Sequence, residues 1–215
     1  MTSPVFLIGG GREPDGIHAA HAPFLAACGD GEVLVLCEDQ PERWTAALAP
    51  ARTRVRALDA FSIADVDGAA GVYVAGGLTP AYAAALVPTG LGARVREAGI
   101  PYAGYSAGAA IAAGRALVGG WLLDGRPVCD EDAGEDLDEL TVVDGLGLVD
   151  PAVDVHATQW GTLTRLVHAV AAGLVATGVA VDEHTCVEVR GADLVVHGQG
   201  SAYRVGAGTL HVLTA

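Results

Sequence analysis

The chain has 215 residues, of which 51% are hydrophobic and 18% are charged, and this composition is typical of a globular protein rather than a disordered one. Its formal net charge is −14, and none of its 12 basic residues is lysine. That balance argues against nucleic acid or an anionic membrane surface as a partner. The length suits a single α/β domain covering residues 1–215.

The N-terminus and the cysteines favour a cytoplasmic location. No basic segment precedes the first apolar run, and that run is too short for a signal peptide or a membrane span. The four cysteines form no Cys-x-x-Cys pair, as expected of free thiols in a reducing compartment. They are Cys28, Cys37, Cys129 and Cys186.

Short apolar runs that alternate with helical segments predict a mostly parallel sheet flanked by helices. In chain order, the first half predicts strands at 5–10, 32–37, 54–58, 72–77 and 100–104, with helices at 16–28, 40–50, 79–87 and 93–99. A helix follows Ser106 over 107–117. The second half predicts strands at 152–157, 178–183 and 186–189, a helix at 162–174, and antiparallel edge strands in the tail at 193–214. We expect the acidic stretch at 130–139 to be a solvated loop.

The segment GYSAG at 104–108 fits the G-x-S-x-G pattern of a nucleophile elbow. A turn that sharp strains the backbone of the serine, and glycine or alanine at the flanking positions avoids collisions. The hydroxyl of Ser106 would then stand at a helix N-terminus, where developing negative charge is stabilised. A tight strand–helix turn with a serine N-cap explains the same residues equally well.

Two backbone amides are candidates for an oxyanion hole. The N–H of Ala107 directly follows the serine, and the N–H of Gly77 comes from the glycines that end the strand at 72–77. Amides presented without bulky side chains are what such a site requires. The alternative for Gly77 is an ordinary glycine-rich turn between a strand and a helix.

Among the seven histidines, His156 is the best candidate for a general base, because it lies at the carboxyl end of a predicted strand and precedes a helix. The class I glutamine amidotransferases place a glutamate two residues after this histidine, but here that position is Thr158. The orienting acid therefore comes from elsewhere. Glu183, at the end of a predicted strand, is our first choice, with Asp182, Asp154 and Asp124 as rivals.

The joint order and spacing of five segments resembles the dipeptidase E and cyanophycinase family of serine peptidases over nearly the whole chain. They are GGG (9–11), GGLT (76–79), GYSAGA (104–109), VDVHATQWGTLTRL (153–166) and VAVDEHTCVEV (179–189). The resemblance implies an amidotransferase-like α/β sandwich that uses no metal and no cofactor. It also implies Ser106 as nucleophile, His156 as base, and the amides of Gly77 and Ala107 as oxyanion donors. The cyanophycinase branch implies Glu183 as the acid, whereas the dipeptidase E branch keeps Asp124 in consideration.

The positions that correspond to the substrate pocket depart from the family pattern. We expect Leu78, Thr79 and Trp160 to contact substrate, and both Leu78 and Trp160 replace polar residues. Arg165 alone matches a later basic position of the family, and helical spacing sets it away from His156. We therefore expect a preference for a neutral or apolar side chain over an aspartyl one.

The sequence thus predicts a serine hydrolase that cleaves a small peptide or amide through an acyl-enzyme, acting as a monomer or homodimer. The alternative is a decayed domain of the same fold that binds a ligand or partner. A nucleotide-binding protein is the least favoured class, because Pro14 interrupts the G-x-G-x-x-G pattern in GGGREPDG.

Overall fold

The computed structural model describes residues 3–12 and 14–215. Met1, Thr2 and Glu13 lie outside the described residues, and so does the start of the N-terminal segment that was judged too short for a signal peptide. The strands are β1 (Val5–Ile8), β2 (Glu32–Cys37), β3 (Arg52–Ala57), β4 (Gly71–Val74), β5 (Tyr102–Tyr105), β6 (Arg115–Gly119), β7 (Leu122–Leu123), β8 (Arg126–Pro127), β9 (Thr141–Asp144), β10 (Ala152–Val155), β11 (Gly178–Val181), β12 (Thr185–Arg190), β13 (Asp193–Gly198), β14 (Ser201–Gly206) and β15 (Thr209–Thr214). The helices are α1 (Pro14–Cys28), α2 (Pro41–Ala47), α3 (Thr79–Leu86), α4 (Leu91–Ala98), α5 (Ala107–Ala110) and α6 (Thr162–Ala171), with short 3-10 turns at Leu58–Ala60, Ile63–Val66, Val87–Thr89 and Glu131–Ala133.

The central sheet has seven strands in the order β13-β12-β1-β5-β4-β2-β3. Its five strands from the first half of the chain are parallel, whereas β12 and β13 run antiparallel at one edge. A second sheet has the order β10-β11-β14-β15, in which only β10 and β11 are parallel. The predicted fold class is confirmed, and the tail contributes antiparallel edge strands to both sheets.

The central sheet is buried on both faces, which explains why its strands are continuously apolar. Strand β1 shows the division, because Leu7 packs in the cluster of α3 and α4 while Phe6 packs in the cluster of α1 and α2. A third cluster lies between the second sheet and α6, around Leu166. Within the described ranges, no helix combines the length and apolar character needed to cross a membrane.

The helix predicted over 107–117 is wrong beyond its first turn. Helix α5 ends at Ala110, and Arg115–Gly119 is strand β6. The carbonyls of residues 111–113 accept hydrogen bonds from the backbone amides of residues 146–149 instead of from a continuing helix. This pairing with a distant segment overrides the helical preference of the alanines.

Candidate active site

Ser106 lies at a sharp junction between β5 and α5. Its backbone has φ 50° and ψ −110°, an unusual conformation for a residue with a side chain. The small neighbours are sterically required, since a Cβ at Gly104 would come within 2.2 Å of the Gly108 oxygen, and one at Gly108 within 2.2 Å of the Val74 oxygen. The elbow geometry predicted from G-x-S-x-G is therefore present.

A continuous line of hydrogen bonds runs from the serine to a glutamate. The Oγ of Ser106 lies 2.9 Å from Nε2 of His156, and Nδ1 of His156 lies 2.7 Å from Oε1 of Glu183. Ser106 comes from the central sheet, whereas His156 and Glu183 follow β10 and β11 of the second sheet. The arrangement is thus assembled where the two sheets meet.

The surroundings of His156 favour the neutral imidazole that a base requires. Burial lowers the pKa of His156, and the hydrogen bond to Glu183 opposes that shift without cancelling it. Since the ionised carboxylate of Glu183 can only accept, the tautomer that fits is the one with its proton on Nδ1, which leaves Nε2 as an acceptor for the hydroxyl of Ser106.

Of the two residues predicted to supply oxyanion amides, Ala107 directly follows Ser106 and Gly77 lines the same cleft. Ala107 is the first residue of α5, so its N–H has no partner within the helix. Gly76 packs against the elbow, because a Cβ there would come within 3.2 Å of the Ser106 Cβ, and Gly77 follows it along the lining of the cleft.

Two of the three rival acids have other partners. Asp154 is buried in an ion pair with Arg165, and Asp182 accepts hydrogen bonds from Thr158 and from Ser201. Asp124 lies in the exposed turn between β7 and β8 and does not line the cleft that contains Ser106. Of the four candidates, Glu183 is the one that contacts His156.

The three residues expected to bind substrate are differently placed. Leu78 and Trp160 line the open cleft of about 1020 Å³ above Ser106, and both are exposed. Thr79 is buried and does not line the cleft, but its backbone N–H donates a hydrogen bond of 2.9 Å to Oε2 of Glu135, which does.

Most carboxylates of the acidic stretch are exposed, as the sequence predicted, but the stretch also has a place in the site. It forms one wall of the cleft, with lining carboxylates at Glu131, Asp132, Glu135, Asp136 and Asp138. Burial raises the pKa of the Glu135 carboxyl, and the hydrogen bond from the Thr79 amide opposes the shift. The run of acidic residues at 130–139 is visible in the sequence, but no local pattern indicated that this run lines the cleft above Ser106.

A buried arginine holds this wall in place. Arg165 forms two hydrogen bonds with the carboxylate of Asp154, of 2.7 and 2.9 Å, and its Nη1 donates to the carbonyl of Ala133 at 2.5 Å. The amide of Gly120 also donates to the carbonyl of Gly134. Arg165 therefore supports the cleft from behind, as its distance along α6 suggested, and does not line it.

No group of histidine, cysteine or acidic side chains within the described part of the chain is arranged to hold a metal ion. The fold is mixed α/β. Its described site holds a serine on a strained elbow, with a histidine and a carboxylate in line with that serine. These features are typical of a hydrolase that works through a serine nucleophile.

Comparisons with known proteins identify the family. A sequence model of peptidase family S51 matches residues 47–197. The chain therefore belongs to peptidase family S51, and it is a hydrolase of the serine peptidase type. A search of curated proteins found no match.

Solved structures with a similar fold include a peptidase from an acI-B1 Actinobacterium, with a TM-score of 0.69 and 19% identity over 100% of this chain and 95% of the other. A protein from Listeria monocytogenes EGD-e that is described as a candidate peptidase E has a TM-score of 0.63 and 18% identity, over 93% of this chain and 100% of the other. At these identities the likeness establishes the fold.

Proposed function

We propose that the protein hydrolyses a small peptide or amide by acyl transfer through Ser106, His156 and Glu183. The observation that carries this proposal is the unbroken hydrogen-bonded line from the Ser106 hydroxyl to the Glu183 carboxylate. Because the two sheets contribute different members of this line, we also propose that residues 1–215 act as one catalytic domain.

In the proposed reaction, Ser106 Oγ attacks the substrate carbonyl while Nε2 of His156 takes its proton. The amides of Gly77 and Ala107 donate to the oxyanion, and each such donor typically contributes about 3–4 kcal/mol to stabilising the transition state. His156 then gives the proton to the leaving amine, which departs as the acyl-enzyme forms. Water, activated by the same imidazole, releases the acid and restores the serine.

A fluorophosphonate probe tests this function without knowledge of the substrate. We expect the probe to modify the native protein at Ser106, as located by peptide mapping, because only an activated hydroxyl reacts rapidly. The Ser106→Ala variant should not be labelled. A native, folded protein that resists the probe, or one labelled at another residue, would favour the alternative of a decayed binding domain.

The charge of the cleft supports a proposal about the substrate. Among the described lining residues are seven carboxylates and two guanidinium groups, those of Arg12 and Arg43. A substrate side chain with a negative charge would be repelled by this excess, since unit charges near a protein surface interact by about 4 kcal/mol at 4 Å. We propose that the site prefers neutral or apolar side chains to aspartyl ones.

We expect Leu-X dipeptides to be hydrolysed with a kcat/KM at least about tenfold higher than Asp-X dipeptides, which corresponds to about 1.4 kcal/mol. The Asp136→Asn variant keeps the shape of the side chain and tolerates the φ of 59° at this position. Because it removes one negative charge from the cleft, it should reduce the difference in kcat/KM between Leu-X and Asp-X dipeptides. Steady-state kinetics on paired dipeptides is the measurement. Faster hydrolysis of Asp-X that is lost in Arg43→Ala would contradict the proposed preference.

A further inference from the structure

Trp160 is stacked on the imidazole of His156. The two ring centroids are 3.8 Å apart and the planes differ by 5°, so the indole covers one whole face of the imidazole. The backbone N–H of Trp160 donates a hydrogen bond of 2.9 Å to the carbonyl of His156, which closes the turn that brings the rings together. Trp160 is nevertheless 45% exposed, so it is held over the base without being part of the core.

The ring of His156 is confined from other directions as well. A Cβ at Gly10 would come within 2.1 Å of its Cε1 atom, so the Gly10 backbone already lies against the ring. The backbone N–H of His156 donates to the carbonyl of Gly9 at 3.0 Å, which fixes the start of the side chain. Hydrogen bonds at both ring nitrogens fix the direction of the imidazole within its plane. The indole stacked on one face limits rotation of the imidazole out of that plane.

We propose that Trp160 is a positioning residue for the base, whose indole stabilises the imidazolium form of His156 and keeps the ring in line with Ser106 and Glu183. This inference rests on the proposed function, in which His156 gains a proton in the transition state. It gives Trp160 a role that differs from the substrate contact expected from the sequence.

The physical reason is the electron-rich face of the indole, which attracts a cation lying over it. An imidazolium at this spacing gains stabilisation that the neutral ring does not, so the interaction is stronger in the transition state than in the ground state. The charged groups that act on His156 are Glu183, Asp154 and Arg165. None of them is altered when Trp160 is replaced, so the effect of the indole can be measured separately.

Two substitutions at Trp160 distinguish the effect of an aromatic ring face on His156 from the effect of an apolar side chain that only excludes water. Trp160 and His156 line the same open cleft, so alanine would admit water to the base, whereas Trp160→Leu retains an apolar cover. We expect Trp160→Leu to lower kcat about 3- to 30-fold with little change in KM. Trp160→Phe restores an aromatic face and should recover most of the loss.

The pH dependence gives a readout that a purely structural role would not move. Activity is lost as pH falls through the pKa of the base, so a less stable imidazolium moves the acid limb of kcat/KM to lower pH. We expect this movement in Trp160→Leu and much less of it in Trp160→Phe. A raised KM with unchanged kcat and an unmoved acid limb would show that Trp160 binds substrate only, and would overturn the proposal.

NMR titration of the His156 ring measures the same effect without any substrate. The resonance should titrate at lower pH in Trp160→Leu than in the native protein. The matched control is Trp121→Leu, which removes another indole from the cleft lining and should leave the titration unchanged. Titration of His156 at the same or higher pH in Trp160→Leu would overturn the proposal. If no substrate or probe reacts with the native protein, the proposed function fails, but this titration still decides whether Trp160 stabilises the imidazolium.

Discussion

Replacing Glu183 by glutamine should lower kcat by about 10⁴-fold while leaving the fold intact. The carboxylate of Glu183 lies 2.7 Å from Nδ1 of His156. In the proposed mechanism it stabilises the imidazolium that forms when Ser106 loses its proton. A glutamine that presents its NH₂ group to Nδ1 favours the opposite tautomer, in which Nε2 carries the proton and cannot accept another. The measurement is kcat on a peptide or ester substrate, with thermal unfolding to verify the fold.

The control for this experiment is Asp124→Asn, which also neutralises a carboxylate. Asp124 lies in an exposed turn and does not line the cleft, so its replacement should leave kcat nearly unchanged. The reverse outcome, with a large loss in Asp124→Asn and little in Glu183→Gln, would assign the acid to the arrangement that the dipeptidase E branch implies.

Replacing Arg165 by methionine should destabilise the protein by about 3–5 kcal/mol. Arg165 and Asp154 are respectively 4% and 1% exposed, so removal of the guanidinium leaves a carboxylate buried without its counter-charge. The substitution also removes the donor to the carbonyl of Ala133, which anchors the acidic wall of the cleft. Denaturant unfolding followed by circular dichroism measures the loss.

Two further variants identify the cause of that loss. Arg115→Met breaks an exposed ion pair with Asp144 and should cost only about 0–1 kcal/mol. The double variant Asp154→Leu/Arg165→Met removes both buried charges and should recover much of the stability, although Ala133 still lacks its donor. A single Arg165→Met variant as stable as the native protein would show that the buried pair does not matter to folding.

The central sheet could be predicted because its signals are local. The apolar runs of β1, β2 and β4 and the intervening helices follow from periodicity within a few residues. The elbow is equally local, since a sharp turn at Ser106 needs small residues at fixed offsets. His156 and Glu183 became candidates because parallel strands carry functional side chains at their carboxyl ends, although Glu183 remained one of four possible acids.

Other parts of the site depended on contacts between distant segments. The helix after Ser106 stops at Ala110 because residues 146–149 bind the next carbonyls, about 35 positions along the chain. The acidic stretch faces the cleft because Arg165 and Thr79 hold it there, and neither lies near it in sequence. Its composition alone is compatible with an exposed loop.

The amino-acid sequence by itself determined the alternation of strands and helices in the central sheet, a sharp turn between strand and helix at Ser106 and the residue types available for the chemistry. Only the tertiary structure decided that Glu183, among four carboxylates, meets His156, and that Trp160 covers the base. Steric and periodic constraints act over a few residues, so sequence reports them directly. The choice of an acid or a stacking partner depends on distances between two sheets, which the order of residues along one chain does not specify.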